Sequence, residues 1–426
     1  MSKLLINGEK KLIGEVKIQG SKNSALPILA ACIMSEDICV LKNCPSLLDI
    51  YVSIEILEHL GCKVKFEDSV LTVDSRNVHK HDVPEKLMRK MRSSIIFLGA
   101  LVSRVGKAKL SFPGGCALGA RPIDLHLDNL KHMGIEIYEN HGFISCKVNK
   151  KLTDCKITLS FPSVGATENL ILAAVKSEGI VQIINPAREP EIFDLINFLN
   201  KCGAKIKISE ENNIIIHGIK KLHGTEHGII PDRIVATTYM SAVAITGGSV
   251  LIKNINHKDL DSIISVFTES GCSVIIENNN LYLKAPRKLN SNKSLRTMPY
   301  PGFPTDAQAI IMAMNTVSDG TSIFIENIFE NRYKHVSELA RLGADIKIEG
   351  KVAIVKGVKK LSGANVKSTD LRGAASLAVA GLNAEGQTII SDIYHLDRGY
   401  ENFEQNLRNL GANISRLHLK ILSQNK

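Results

Sequence analysis

A short pattern that ends a helix and opens a strand recurs six times along this chain, and it limits the folds open to it. The copies are Leu60-Gly61-Cys62-Lys63-Val64, Met133-Gly134-Ile135-Glu136-Ile137, Cys202-Gly203-Ala204-Lys205-Ile206, Ser270-Gly271-Cys272-Ser273-Val274, Leu342-Gly343-Ala344-Asp345-Ile346 and Leu410-Gly411-Ala412-Asn413-Ile414. The steps between their glycines are 73, 69, 68, 72 and 68 residues. Glycine at this place suits a left-handed cap at a helix C-terminus. A period near 70 is longer than solenoid repeats, so each copy marks a larger supersecondary unit.

A second pattern runs in phase with the first. An apolar helix leads through a small turn into a β-branched strand, as in Ile28 to Leu41, Ile171 to Ile184, Ala242 to Ile252, Ile311 to Ile325 and Leu377 to Ile390. After the repeated glycine comes a hairpin of two alternating strands, such as Asp345 to Ile348 and Val352 to Lys356 around Glu349-Gly350. Each unit reads as βαβαββ, with a parallel crossover that should be right-handed. The fold class is α/β, and six units make two groups of three. The expected domains are 21–229, and 1–20 together with 230–426, the N-terminal strand segment closing the second group.

Composition removes several classes of function. Hydrophobic residues make up 44% and charged residues 23%, ordinary for a globular chain. The longest apolar runs are too short to span a bilayer, and the N-terminus reads as a strand, not a signal peptide, which predicts a cytoplasmic protein with no membrane partner. Nine scattered cysteines without CxxC pairs argue against a disulfide framework and a zinc site, and the thirteen histidines show no metal spacing. No P-loop or strand-anchored GxGxxG supports ATP or NAD chemistry, so neither cofactor nor metal is expected. The formal charge of +10 comes from lysines spread along the chain, without the dense basic block interleaved with aromatics that nucleic acid would require.

The polar residues that break the repeat fall at matching places within it. Before the first helix of successive units stand Ser21-Lys22-Asn23, Arg89 to Ser94, Ser163 to Thr167, Pro231-Asp232-Arg233, Pro304-Thr305-Asp306 and Thr369 to Gly373. Helix N-termini attract anions through free N–H groups and the dipole. Ser163, Thr305 and Asp370 fit ordinary N-caps. Lys22, Arg92 and Arg372 do not, because a cation at a helix start needs an anion to compensate it. With Arg121, Arg332 and Arg398 from loops after the next strand, these residues suit a substrate carrying phosphate and carboxylate groups. Cys116 sits in one such loop, Pro113-Gly114-Gly115-Cys116-Ala117-Leu118-Gly119-Ala120-Arg121-Pro122, where a nearby guanidinium favours the thiolate.

These motifs resemble a known family. Gly20-Ser21-Lys22-Asn23-Ser24-Ala25-Leu26-Pro27 is similar to its N-terminal signature, and the Cys116 loop, Ser163-Val164-Gly165-Ala166-Thr167, Arg188-Glu189-Pro190-Glu191, Pro304-Thr305-Asp306, Phe329-Glu330-Asn331-Arg332, Thr369-Asp370-Leu371-Arg372 and Asp397-Arg398-Gly399-Tyr400 follow it in order. The family is UDP-N-acetylglucosamine 1-carboxyvinyltransferase, or UDP-N-acetylglucosamine enolpyruvyl transferase. The resemblance runs from about residue 3 to the C-terminus. It implies an inside-out α/β barrel of two domains, each of three βαβαββ repeats. It also implies transfer of the enolpyruvyl group of phosphoenolpyruvate to the 3-hydroxyl of UDP-N-acetylglucosamine with release of phosphate, the committed step of peptidoglycan synthesis.

The resemblance further implies roles for individual residues. Cys116 is the thiol that forms an adduct with phosphoenolpyruvate, a candidate acid for its C3 and the target of the epoxide fosfomycin. Asp306 is the candidate base at the sugar hydroxyl. Lys22, Arg121, Arg332, Arg372 and Arg398 hold phosphate and carboxylate, while Asn23 and Asp370 contact the reacting centre. Arg92, Arg121, Pro122, Ile123, Asp124, Leu125, Ser163, Val164, Gly165, Asp306 and Ile328 line the UDP-sugar site. Phe161 stands two residues before Ser163 where some members carry lysine, a departure at one uridine-side contact. The expected partners are these two small molecules, with oligomeric state left open. A 5-enolpyruvylshikimate-3-phosphate synthase is the rival enzyme, but that family lacks the Pro-Gly-Gly-Cys loop. A non-catalytic sugar-nucleotide-binding paralogue would have lost site residues that this chain retains.

Overall fold

All six repeated glycines have positive φ, from +88° at Gly271 to +109° at Gly61, so each takes the left-handed step that turns a helix end into a strand. The computed structural model describes residues 2–114, 123–150 and 152–418. Outside 115–122 the chain divides into two units, one of residues 20–230 and one of residues 1–19 with 231–426.

Every repeat carries one four-stranded sheet. In the third, Cys155–Thr158 pairs in parallel with Ile180–Ile184, with Ile157 opposite Ile183. Ile180–Ile184 pairs antiparallel with Ile214–His217, which pairs antiparallel with Lys205–Ile208. The parallel pair requires a crossover, supplied by helix Val164–Ala174, and helix Pro190–Lys201 leads back to the hairpin. This is the βαβαββ unit.

Each unit closes with strands from its own ends. Glu226–Gly228 pairs in parallel with Ile38–Lys42 and so leads the first repeat's sheet. Ile13–Lys17 plays that part for the fourth repeat, pairing with Ser249–Lys253. Ser2–Asn7 lies between Gln387–Ser391 and Asn413–His418 and completes the sixth.

The first long helix of each repeat is mostly apolar and is buried along most of its length. These helices are Lys22–Cys32, Phe97–Val105, Val164–Ala174, Arg233–Ile245, Thr305–Asn315 and Leu371–Asn383. In the last of them every residue from Arg372 to Leu382 is buried. The strands are amphipathic: in Val352–Lys356 the side chains of Ala353 and Val355 are inside, while Ile354 and Lys356 face out. Helices inside and sheets outside make an inside-out α/β barrel. Each unit has its own apolar core, one from Ala25 to Ile229 and one joining Leu4–Ile18 to Ile234–Ile414. Among the described residues no helix is long and apolar enough to cross a membrane.

The architecture positions chemistry by placing the N-termini of buried helices next to loops that follow the parallel strands. Four of these helices carry a charged residue in their first two positions: Lys22, Arg233, Asp306 and Arg372.

Candidate active site

In the unit holding residues 231–426, two helix starts and the loop after strand Thr321–Ile325 bring Asp306, Arg372 and Arg332 together. Asp306 is the second residue of helix Thr305–Asn315. Its Oδ1 accepts from Nη2 of Arg332 and its Oδ2 from Nη2 of Arg372, each at 2.9 Å. The two arginine side chains are 2% and 4% exposed, against 29% for Asp306. Arg332 also donates to the carbonyl of Thr305 at 3.0 Å and lies over the Phe329 ring. Arg372 donates from Nη1 to the phenol of Tyr400 at 3.3 Å and lies over that ring. Burial alone would push Arg372 below its ordinary range, but Asp306, Tyr400 and Asp232 outweigh it and raise it.

Asp370 caps helix Leu371–Asn383, accepting from the amides of Arg372 at 3.0 Å and Gly373 at 3.1 Å. Burial opposes its charge. The positive charge of Arg332 and the Gly373 amide prevail and hold it below the usual carboxylate value. Ile328 enters through Glu326, a buried carboxylate that accepts from the Ile328 amide at 2.8 Å and from Thr297 and Thr305 hydroxyls at 3.0 Å. Arg398 is half-buried beside Asp397, which Arg416 grips through two hydrogen bonds of 3.0 and 2.7 Å.

In the unit of residues 20–230, Lys22 opens helix Lys22–Cys32 behind the N-cap Ser21. The sequence reading gives Lys22 an anionic ligand as its compensating partner; within the protein Asp49 also lies 3.2 Å from its Nζ. Asn23 is half-buried beside it. Ser24, next in the helix, donates to Asp194, whose other oxygen meets Nε2 of His227 at 2.9 Å. Arg92 opens the 3₁₀ helix Arg92–Ile96.

Ser163 caps helix Val164–Ala174 through the Ala166 amide. The Ser163–Gly165 turn and the Ile123–Leu125 turn are joined by His126. A Cβ on Gly165 would lie 3.0 Å from His126 Cε1, so a larger residue there would crowd the ring. Nδ2 of Asn169 donates to Nδ1 of His126 at 2.8 Å and to the Ile95 carbonyl at 3.1 Å, while its Oδ1 takes the Gly99 amide. That places the imidazole proton on Nε2. Burial, with Arg92 adding to it, lowers His126 to about 4, so the ring is neutral. Phe161 is 40% exposed. Cys116, Arg121 and Pro122 lie outside the described residues.

The sequence reading missed Asp49, His126, Asn169, Glu326, Tyr400 and the buried Glu168. Burial and the nearby Glu191 and Glu189 raise Glu168 well above the usual carboxylate range. His126 and Glu168 carried a usable signal, since each directly follows a run of site residues, and Tyr400 closes one of the quoted motifs without a role of its own. Asp49 and Asn169 lie inside helices and had none. Among the described residues no group of three or more His, Cys, Asp or Glu is placed to hold a metal ion.

Comparison with known proteins gives one answer along the whole chain. The family described as EPSP synthase (3-phosphoshikimate 1-carboxyvinyltransferase) matches residues 6–407. A protein of Caldanaerobacter subterraneus subsp. tengcongensis, UDP-N-acetylglucosamine 1-carboxyvinyltransferase 2, is 50% identical over 98% of this chain and 100% of its own length. A UDP-N-acetylglucosamine 1-carboxyvinyltransferase of Geotalea daltonii is 48% identical over 98% and 100%. Among solved structures, the enolpyruvyl transferase NikO from Streptomyces tendae superposes with a TM-score of 0.88 at 25% identity, covering 97% of this chain and 98% of its own. EPSP synthase from Acinetobacter baumannii shares the fold with a TM-score of 0.78 at 17% identity, covering 98% and 100%. The chain belongs to the enolpyruvyl transferases of the EPSP synthase family and, within them, to the UDP-N-acetylglucosamine 1-carboxyvinyltransferases.

Proposed function

We propose that this protein transfers the 1-carboxyvinyl group of phosphoenolpyruvate to the 3-hydroxyl of UDP-N-acetylglucosamine and releases phosphate, the step that commits the sugar nucleotide to peptidoglycan. The observation that carries this reading is the 50% identity to a UDP-N-acetylglucosamine 1-carboxyvinyltransferase over essentially both whole chains. The reading of the chain as an EPSP synthase is less well supported, because its 17% likeness to a solved EPSP synthase speaks to fold alone.

The reaction is addition followed by elimination. The sugar oxygen bonds to C2 of phosphoenolpyruvate while C3 gains a proton and the hydroxyl loses one. The tetrahedral ketal then loses phosphate from C2 and a proton from C3, restoring the double bond. Positive charge develops at C2 beside two anionic groups, so the protein's levers are fixed cations and placed proton carriers.

In this reading Arg332 and Arg372, with Lys22, Arg121 and Arg398, hold the phosphate and carboxylate. Buried guanidiniums suit this work because their orientation is already set before binding. Asp306 takes the hydroxyl proton, and Cys116 supplies the proton to C3. Asn23 and Asp370 contact the reacting centre. Ile123, Asp124, Leu125, Ser163, Val164 and Gly165, with Arg92, Arg121, Pro122, Asp306 and Ile328, line the sugar nucleotide.

The test is phosphate release from phosphoenolpyruvate with and without UDP-N-acetylglucosamine. Release that needs the sugar nucleotide is expected; release with shikimate 3-phosphate instead, or none, refutes the reading. Asp306→Asn should lose most of kcat and still bind UDP-N-acetylglucosamine, and near-normal turnover removes Asp306 from the base role.

A further inference from the structure

We propose that the substrate's anionic groups displace Asp306 from Arg332 and Arg372, so that the carboxylate becomes able to accept a proton only once the anion is in place. This rests on the functional reading above and adds to it an order of events.

Both oxygens of Asp306 are engaged, one by each arginine, at 2.9 Å. A carboxylate held between two guanidiniums is a poor proton acceptor, because the two positive charges stabilise its ionised form. Something must move before it can act as a base, and exposure identifies which group that is. The arginine side chains are 2% and 4% exposed and the aspartate is 29% exposed.

Each arginine also has an anchor that does not involve Asp306. Arg332 holds the Thr305 carbonyl at 3.0 Å, and Arg372 holds the Tyr400 phenol at 3.3 Å. The cations therefore keep their places when the carboxylate leaves.

The donors left over say what replaces it. Nε of Arg332 and Nε of Arg372 are both buried and have no hydrogen-bond partner among the described residues. In a guanidinium, Nε–H and one Nη2–H point the same way and form the fork that takes a carboxylate or phosphate by two parallel bonds. Asp306 uses only the Nη2 half of that fork on each arginine. An anion with three or more oxygens can take both halves, satisfying two buried donors that have no partner among the described residues. A phosphate group also brings more negative charge than the single carboxylate it replaces. The exchange is thus favourable for phosphate-bearing substrates, and it leaves Asp306 next to the reacting groups with its lone pairs released.

The experiment uses inorganic phosphate as the probe and the full chain without UDP-N-acetylglucosamine. Removing the competitor should tighten phosphate binding, so Asp306→Asn and Asp306→Ala should each show a phosphate Kd at least about tenfold below that of the wild type by titration calorimetry. Unchanged or weaker binding in both variants overturns the proposal. A crystal structure of the wild-type chain at saturating phosphate checks it without a variant. Phosphate on the Nε–Nη2 edges with Asp306 moved away is expected; phosphate bound with both 2.9 Å contacts intact, or none at these arginines, overturns it. Turnover with phosphoenolpyruvate and UDP-N-acetylglucosamine tests the functional reading separately. A chain that turns over but shows no displacement loses only this proposal, and one that shows displacement but does not turn over loses the functional reading.

Discussion

Nη1 of Arg372 donates to the phenol oxygen of Tyr400 at 3.3 Å, and that oxygen passes the interaction on. Its own proton goes to Oγ1 of Thr238 at 2.8 Å, because the Thr238 hydroxyl already donates to the Ile234 carbonyl. The chain of bonds fixes one guanidinium at the start of helix Leu371–Asn383 to the neighbouring helix Arg233–Ile245. Arg372 is therefore oriented by a residue that no sequence motif assigns to binding.

Tyr400→Phe should loosen that orientation while keeping the ring under the guanidinium. A hydrogen bond to a charged group contributes about 1.5 kcal/mol at the low end, which corresponds to about tenfold in affinity. The expected outcome in steady-state kinetics is a tenfold rise in KM for phosphoenolpyruvate with KM for UDP-N-acetylglucosamine within twofold of the wild type. Equal rises in both constants would mean that Tyr400 serves general stability only.

His335 predicts how stability responds to acid. It is buried, its Nδ1 faces the Arg332 carbonyl at 3.2 Å, and its Nε2 has no hydrogen-bond partner among the described residues. Burial lowers it from 6.5 to about 4; the Arg332 charge adds to that shift, while Asp370 and the Arg332 carbonyl work against it. The unfolded chain therefore takes up this proton first as pH falls. The contribution of the neutral ring is fully present above pH 6.5 and is lost between 6.5 and about 4. Across that whole window the linked loss of folding free energy amounts to about 3 kcal/mol. Urea unfolding at pH 7.5 and pH 4.5 should show a smaller loss for His335→Gln than for the wild type. His126 is lowered in the same way, so part of the slope stays. An unchanged difference between the two pH values would show that His335 is not linked to folding.

Much of the fold was legible because the repeat writes its helix caps in glycine and its buried helices in unbroken apolar runs. The N-terminal strands were legible for the same reason: alternating residues with no sheet of their own had to complete another repeat. The candidate site was legible only where a polar residue interrupts an apolar helix, as at Lys22, Asp306 and Arg372. Asp49 and Asn169 stayed hidden because each is one polar residue within a helix whose partner lies far along the chain, 27 residues away for Lys22–Asp49 and 43 for His126–Asn169. Such pairings are set by packing between helices, which local periodicity does not record.

The repeated glycines share a conformation but not a cost of substitution. Gly343 has φ of +92° with nothing within 4 Å of an added Cβ, so Gly343→Ala pays only for the left-handed backbone, about 1–2 kcal/mol. Gly61 has φ of +109°, and a Cβ there would lie 2.5 Å from the Asn77 carbonyl oxygen and 2.6 Å from Nδ1 of His79. Gly61→Ala should therefore cost more than Gly343→Ala in denaturant unfolding, by about 1 kcal/mol or more for the displaced backbone. Equal costs would mean that the chain around Asn77 yields freely.

Cys116 carries the most direct chemical prediction. Its loop holds Gly114, Gly115 and Gly119 with Arg121 five residues on, a setting that favours the thiolate and leaves the backbone able to approach a ligand. A thiolate so placed attacks an epoxide carbon, forming a C–S bond as the ring C–O bond breaks and its oxygen takes up a proton. Fosfomycin combines that epoxide with a phosphonate, which the arginines assigned to the phosphate of phosphoenolpyruvate would hold. Intact-mass analysis should show one covalent addition at Cys116, faster with UDP-N-acetylglucosamine present, and none in Cys116→Ser. Addition that persists in Cys116→Ser would place the reactive thiol elsewhere among the nine cysteines. Of the eight others, Cys155 alone is more than marginally exposed, and burial raises its pKa. A thiol held in that protonated form is a poor nucleophile, which leaves Cys116 as the one the epoxide should find.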